Sequence, residues 1–294
     1  MYYEKSILRK LFGKSEFPVI NLSRRDILIK ARTLAGKLSI SGVQPKLSLA
    51  LLKNELLAVK TKGQFILKPQ NDIFENLPEN ETLCMSIAEK TGINVPPNIL
   101  IILNDQSTAF LIKRFDRLSY NRKLHMEDFS QILEKNKYEG SYEQIGNYIK
   151  SHKKLGLLQL QYFFERVLLN YVIGNADAHL KNFSILLNEK GKYILSPAYD
   201  LVSSNLAIPE EKEETALFLA GKKRNFKRND FLEFGKTIGL KEAYINKCLQ
   251  KYLNVKKTIY QLTDESMLSE SEKNRFKNIV HKRLKQFKPS GNQK

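Results

Sequence analysis

Asn175-Ala176-Asp177-Ala178-His179-Leu180-Lys181-Asn182 sets a carboxylate and a carboxamide five residues apart, and Pro197-Ala198-Tyr199-Asp200 brings a second carboxylate downstream. Between them, Phe183 to Leu187 and Tyr193 to Leu195 flank the breaker-rich Asn188-Glu189-Lys190-Gly191-Lys192, which predicts a short hairpin. Upstream, Leu155 to Ile173 is apolar nearly all round and predicts a helix buried at the centre of a helical lobe, ended by Gly174. Phosphoryl transfer asks for groups in this order: a base for the accepting hydroxyl, an amide oxygen for a hard cation, and an anionic ligand for that cation. Asp177 is the candidate base, and Asn182 and Asp200 are the candidate metal ligands. His179 and Lys181 lie between them and could steady the transferred group, although Lys181 could equally face solvent. A single acid in such a loop is more often a cap or a solvated charge, so the bland alternative has Asp177 capping a turn and Asp200 capping a following helix. The three together, after a buried helix and around a hairpin, favour the chemical reading.

The part of the chain before residue 115 is rich in predicted strands. Leu47 to Leu52 and Glu55 to Val59 bracket Lys53-Asn54 as a hairpin, and Gln64 to Pro69 is a further strand. Asn80 to Lys90 carries Leu83, Ile87 and Ala88 at helical spacing and stops at Thr91-Gly92. Ile99 to Leu103 and Thr108 to Ile112 form a second hairpin across Asn104-Asp105-Gln106. Lys68, at the end of its strand, could neutralise nucleotide phosphates. Glu81 on the next helix could fix its direction, with Glu79 two residues away as the competing partner. Ser39-Ile40-Ser41-Gly42-Val43-Gln44-Pro45-Lys46 could bring backbone N–H groups to phosphate, but with one glycine it matches neither a P-loop nor a three-glycine loop. Beyond Arg117 the pattern turns helical, with later helices predicted at about 228–238, 241–254 and 268–287.

The fold class expected from this succession is α+β, with a strand-rich lobe over residues 1–115, a helical lobe over 116–294, and a cleft between them. Hydrophobic content of 42% and aromatic content of 10% support a packed interior. No apolar run reaches the roughly 18–20 residues that span a bilayer, and Met1-Tyr2-Tyr3-Glu4-Lys5 lacks a signal-peptide segment, so a cytoplasmic protein with no membrane partner is expected. Two cysteines, Cys84 and Cys248, provide neither a disulfide framework nor a four-ligand zinc set. The net charge of +18 favours encounter with anions. Its densest cluster, Gly221 to Arg228, reads either as a solvated surface or as a nucleic-acid contact.

Taken along the whole chain, the sequence resembles the HipA-like kinases of bacterial toxin–antitoxin systems. The matching segments are Ser39 to Lys46, Phe65 to Pro69, Asn80-Glu81, Gly92 to Pro96, Lys113 to Arg117, Glu127-Asp128, Lys137-Tyr138-Glu139, Gly174 to Ile185 and Ser196 to Ser203, in family order. The resemblance implies a bilobal protein-kinase-like fold and Mg-ATP-dependent phosphorylation of serine or threonine on a protein. It makes Asp177 the base, Asn182 and Asp200 ligands of Mg2+, Lys68 a phosphate contact, and Phe115 and Asp116 the holders of adenine and ribose. Ser41, Gly42 and Val43 fall in the nucleotide-contacting loop, where family kinases phosphorylate themselves, so Ser39 and Ser41 are the implied autophosphorylation sites. Two serines flanking Ile40, and only about 38 residues ahead of the loop, resemble the HipT branch. That branch implies a HipS-like small protein and a HipB-like helix-turn-helix antitoxin as partners, with DNA reached only through the antitoxin. The implied substrate is an aminoacyl-tRNA synthetase, whose phosphorylation would stop translation and growth. Lys113 stands where HipA carries glutamate, and Tyr199-Asp200-Leu201 stands where ordinary kinases carry Asp-Phe-Gly, so their activation-loop switch is not implied. Two rival functions remain: a small-molecule kinase of the same fold, and a basic nucleic-acid-binding regulator whose kinase site has decayed.

Overall fold

The computed structural model describes residues 3–35, 45–118 and 122–289. Ser39, Ser41, Gly42 and Val43 lie outside the described residues. The chain forms two compact units, one of Met1–Thr82 with Pro96–Leu124 and the other of Leu83–Val95 with His125–Lys294.

The first unit is an antiparallel sheet under two helices. Helices α1 (Lys5–Phe12) and α2 (Arg24–Ala35) precede strands β1 (Leu47–Leu52), β2 (Glu55–Ala58), β3 (Phe65–Pro69), β4 (Asn98–Ile102) and β5 (Thr108–Lys113), which lie in the order β2-β1-β3-β5-β4. Alternation along the strands gathers Leu47, Leu49, Phe65, Leu67, Ile99, Ile101, Ala109 and Leu111 into one core with Leu8 and Leu11 of α1 and with Leu22 and Ile27. The period of two sends Lys68 to the opposite face, paired in register with Phe110. Lys53 and Asn54 both take positive φ, 45° and 72°, which gives the β1–β2 turn the twist its strands need. The hairpins follow the alternation of the sequence. Helices α1 and α2 were not among the predicted elements; α1 is two turns long and buries only Leu8 and Leu11.

Helix α3 (Leu77–Lys90) begins three residues before the predicted start and runs from the first unit into the second. In the second unit a three-stranded sheet, β6 (Met126–Asp128), β7 (Ser184–Leu187) and β8 (Tyr193–Leu195), is ordered β6-β7-β8. Around it are the short α4 (Phe129–Ile132), α5 (Tyr142–Ser151), α6 (Gly156–Ile173), a single 3-10 turn (Leu180–Asn182) and α7 (Ser204–Ala207). Helices α8 (Arg228–Thr237), α9 (Glu242–Asn254), α10 (Lys256–Glu265) and α11 (Glu270–Lys285) complete it. Helix α6 is the expected buried helix: Phe163, Phe164, Val167, Leu168, Leu169, Val172 and Ile173 are all buried. It stops where Gly174 turns left-handed (φ 71°), its N–H bonding back to Asn170 and Tyr171; a Cβ there would lie 2.8 Å from Ile279.

Much of the basic cluster is engaged within the unit. Lys222 pairs with Asp230 at 2.8 Å and Lys223 with Glu213 at 3.5 Å, while Arg228 bonds the Phe287 carbonyl and Asn246. Among the described residues, no helix is long and apolar enough to cross a membrane.

Candidate active site

Asp177 sits on a loop whose main chain is fixed from several directions. Asn175 donates to Asn170 Oδ1 (2.9 Å) and accepts from the Asp177 N–H (3.2 Å). The Ala176 N–H donates to Ser204 Oγ at 2.7 Å, and the Tyr142 hydroxyl donates to the Ala178 carbonyl at 2.8 Å. The Leu180 N–H reaches the Lys137 carbonyl at 3.0 Å. These bonds hold the backbone and leave the Asp177 side chain exposed, with Tyr138 Oη donating to Oδ1 at 2.7 Å. His179 is buried, and its burial pushes the imidazole below its ordinary pKa against the opposing pull of the Asp177 and Asp200 charges. Both carboxylates therefore act on one ring. The Lys181 side chain is exposed.

Asn182 closes the 3-10 turn: its Oδ1 accepts from the His179 N–H at 2.9 Å, and its own N–H donates to the His179 carbonyl at 3.0 Å. One lone pair of that oxygen is used and one remains for a cation. The segment carrying Asp200 is tied down as firmly. The Ala198 N–H donates to the Asn94 carbonyl (2.7 Å), and Arg166, buried in α6, donates to the Ser196 carbonyl (2.5 Å). Burial lowers the Arg166 guanidinium to about 10. The Tyr199 hydroxyl donates to the Lys181 carbonyl at 2.7 Å and meets Ser184 Oγ at 2.5 Å. With its one proton on the carbonyl, it takes the Ser184 hydroxyl as donor. Thus one hydroxyl joins the neighbour of Asn182 to the neighbour of Asp200. Asp200 itself takes φ 53°, a left-handed conformation that favours glycine but that aspartate tolerates. It caps no helix, because the N-cap of α7 is Ser203.

Asp200 and Asn182 offer oxygen donors only, the chemistry that Mg2+ requires. Among the described residues, no group of three or more His, Cys, Asp or Glu could hold a metal by itself. A cation held by one amide and one carboxylate oxygen would share its coordination with substrate phosphates and water, the usual habit of Mg2+ in nucleotide sites.

In the first unit, Lys68 Nζ donates to Glu81 Oε1 at 2.6 Å, so Glu81 is a partner of the lysine as expected. The lysine side chain is 5% exposed and the glutamate 0%. Nζ also lies 5.6 Å from the Phe110 ring centroid. Asp116 is buried, with both oxygens taken by Arg114 at 2.9 and 2.7 Å, and Phe115 is half-buried. Residues that sequence reasoning left without a role include Tyr138, Tyr199 and Arg166. Tyr138 was marked only as part of the matching Lys137-Tyr138-Glu139 segment, and no local spacing links it to an acid 39 residues on.

A putative kinase of Haemophilus influenzae is 32% identical over 282 residues, covering 85% of this chain and 82% of that protein. A putative kinase of Sinorhizobium fredii is 34% identical over 64% of this chain and 50% of its own length. The serine/threonine-protein kinase toxin HipA of Shewanella oneidensis is 29% identical over 58% of this chain, which spans only 44% of it. Among solved structures, Shewanella oneidensis HipA in complex with HipB and operator DNA superposes with a TM-score of 0.71 at 21% identity, over 85% of this chain and 64% of that one. The proinflammatory kinase CtkA of Helicobacter pylori gives 0.61 at 17% identity, over 86% and 91%. The fold is thus α+β and protein-kinase-like, as expected from the sequence. The HipA-like C-terminal domain matches residues 38–259, three quarters of the chain, and the protein belongs to that family.

Proposed function

We propose that this protein is a Mg-ATP-dependent serine/threonine protein kinase that acts as the toxin of a toxin–antitoxin system. The observation that carries the reading is the tie between the two loops: the Tyr199 hydroxyl, next to Asp200, bonds the Lys181 carbonyl, next to Asn182, and Asn182 Oδ1 accepts from the His179 N–H two residues after Asp177. The kinase names of its relatives support the reaction class, and the serine/threonine-protein kinase toxin HipA supports the acceptor class.

In this reading Asp177 accepts the proton of the acceptor hydroxyl as that oxygen bonds to the γ-phosphorus. The bond from γ-phosphorus to the β–γ bridging oxygen breaks, and ADP leaves with the electron pair. Lys68, steered by Glu81, contacts nucleotide phosphate. Phe115 holds adenine, and Asp116, already engaged by Arg114, lies against ribose. Asn182 and Asp200 are the residues that would hold Mg2+, which supplies charge neutralisation at the phosphates. His179 and Lys181 flank the transferred group. Ser41, Gly42 and Val43 are the nucleotide-binding residues of this reading, and Ser39 or Ser41 accepts phosphate in autophosphorylation. The HipB of the structurally similar complex supports a helix-turn-helix partner of HipB type, with DNA reached through it. A HipS-like companion, the HipT branch and an aminoacyl-tRNA synthetase substrate complete the proposal.

The purified chain, incubated with Mg2+ and γ-labelled ATP, should incorporate label at Ser39 or Ser41. Asp177→Asn and Asp200→Asn should lose essentially all incorporation while keeping the circular dichroism of the parent. Full activity in both variants would overturn the site, and label appearing in a small solute from a lysate would move the acceptor from protein to small molecule.

A further inference from the structure

The proposed machinery leaves unused the residue that touches the base. Tyr138 lies in the connection between α4 and α5, outside the acid motif, yet it meets the catalytic loop at several points. Its hydroxyl donates to Asp177 Oδ1 at 2.7 Å, and its ring stands edge-on to His179 with centroids 5.2 Å apart. Lys137 Nζ sits 4.6 Å from the ring centroid, and the Lys137 carbonyl accepts the Leu180 N–H at 3.0 Å. The phenol is thus fixed by a cation on its face, an imidazole at its edge and a carboxylate at its tip. Tyr138 is 46% exposed, and its partial desolvation, the bond to Asp177 and the charge of that carboxylate together raise its pKa well above the ordinary value, so the hydroxyl remains a donor.

We infer that Tyr138 is the positioning residue of Asp177: its hydroxyl takes Oδ1, fixes the carboxylate plane, and leaves Oδ2 to receive the acceptor's proton. The inference rests on reading Asp177 as the base. A carboxylate on an exposed loop can turn about two side-chain torsions, and only some orientations direct an oxygen at an incoming hydroxyl. A charge-assisted bond to one oxygen removes that freedom at the cost of one donor. The rival geometry has the phenol standing in for the acceptor hydroxyl and blocking it. The two differ in the sign of the effect when the hydroxyl is removed.

The test is Tyr138→Phe in the full chain, measured beside the parent and Asp177→Asn with Mg2+ and γ-labelled ATP. Positioning requires the initial rate of incorporation at saturating ATP to fall by about tenfold to a hundredfold, the range expected for a hydrogen bond to a charged group. The KM for ATP and the melting shift produced by ATP should stay at the parent values, which a general loosening of the fold would not allow. Tyr138→Leu should lose as much rate and also melt lower, because the ring contacts go with the hydroxyl. A Tyr138→Phe rate equal to or above the parent's, with Asp177→Asn inactive, overturns the inference and leaves the base assignment standing. An active Asp177→Asn, or a parent that incorporates no label, overturns both.

Discussion

Replacing Lys68 with methionine leaves the Glu81 carboxylate, 0% exposed, without the ammonium that sits 2.6 Å from it. Removing one partner of a buried ion pair costs about 3–5 kcal/mol, because the remaining charge keeps its desolvation penalty and loses the opposite charge beside it. Native-state hydrogen exchange at the β3 amides reports the opening of the unit that holds the pair. At about 1.4 kcal/mol per factor of ten, the protection of those amides should fall between about a hundredfold and a few thousandfold. The double variant Lys68→Met with Glu81→Leu removes both charges and should recover most of the loss, since apolar replacements of a buried pair are often close to neutral. A single variant within about 0.5 kcal/mol of the parent, or a double variant no better than the single one, would refute the claim that the pair is a desolvated unit.

Acidification should act through His179. Its folded pKa is lowered by burial, so the unfolded chain binds the proton first, and stability falls as pH drops through the free imidazole's value toward the folded one. Each pH unit in that window contributes at most about 1.4 kcal/mol. Urea midpoints at pH 7.5 and 5.5 should therefore diverge more for the parent than for His179→Gln, and equal divergence would contradict the burial argument. Gly174→Ala should destabilise by about 2 kcal/mol or more, from a left-handed φ of 71° and a Cβ only 2.8 Å from Ile279. An alanine variant that unfolds at the parental urea concentration would show that α6 can end without glycine.

Local patterns carried much of the fold into view. The apolar run of α6, the Lys53-Asn54 turn and the alternation of β4 and β5 each depend on neighbours in the chain, and each is found where the residues predict it. Helix α5 was missed although Ser141 and Gln144 form a complete capping box, a signal present in the sequence. Strand β6 carried no such signal. Met126, Glu127 and Asp128 are a strand because β7 pairs with them, not because of their own alternation. At the site, the acids announced themselves by spacing, but the Lys68–Glu81 bond joins a strand to a helix, and no local spacing encodes it. The hydroxyls of Tyr138 and Tyr199 reach partners 39 and 18 residues away, and no periodicity encodes such contacts.

The division of the chain has a consequence for anyone who would dissect it. Neither unit is one continuous stretch, because Leu83–Val95 is contributed to the second unit from within the span of the first. An expression fragment starting at His125 would therefore lack Cys84, Met85, Ile87 and Ala88, all fully buried in the whole protein. It would also lack the Asn94 carbonyl that accepts the Ala198 N–H two residues before Asp200. Cutting at the apparent lobe boundary strips the half that carries Asp177 and Asp200 of these buried side chains and of one anchor of the segment before Asp200, so loss of activity in such a fragment would say nothing about what the missing sheet does in catalysis.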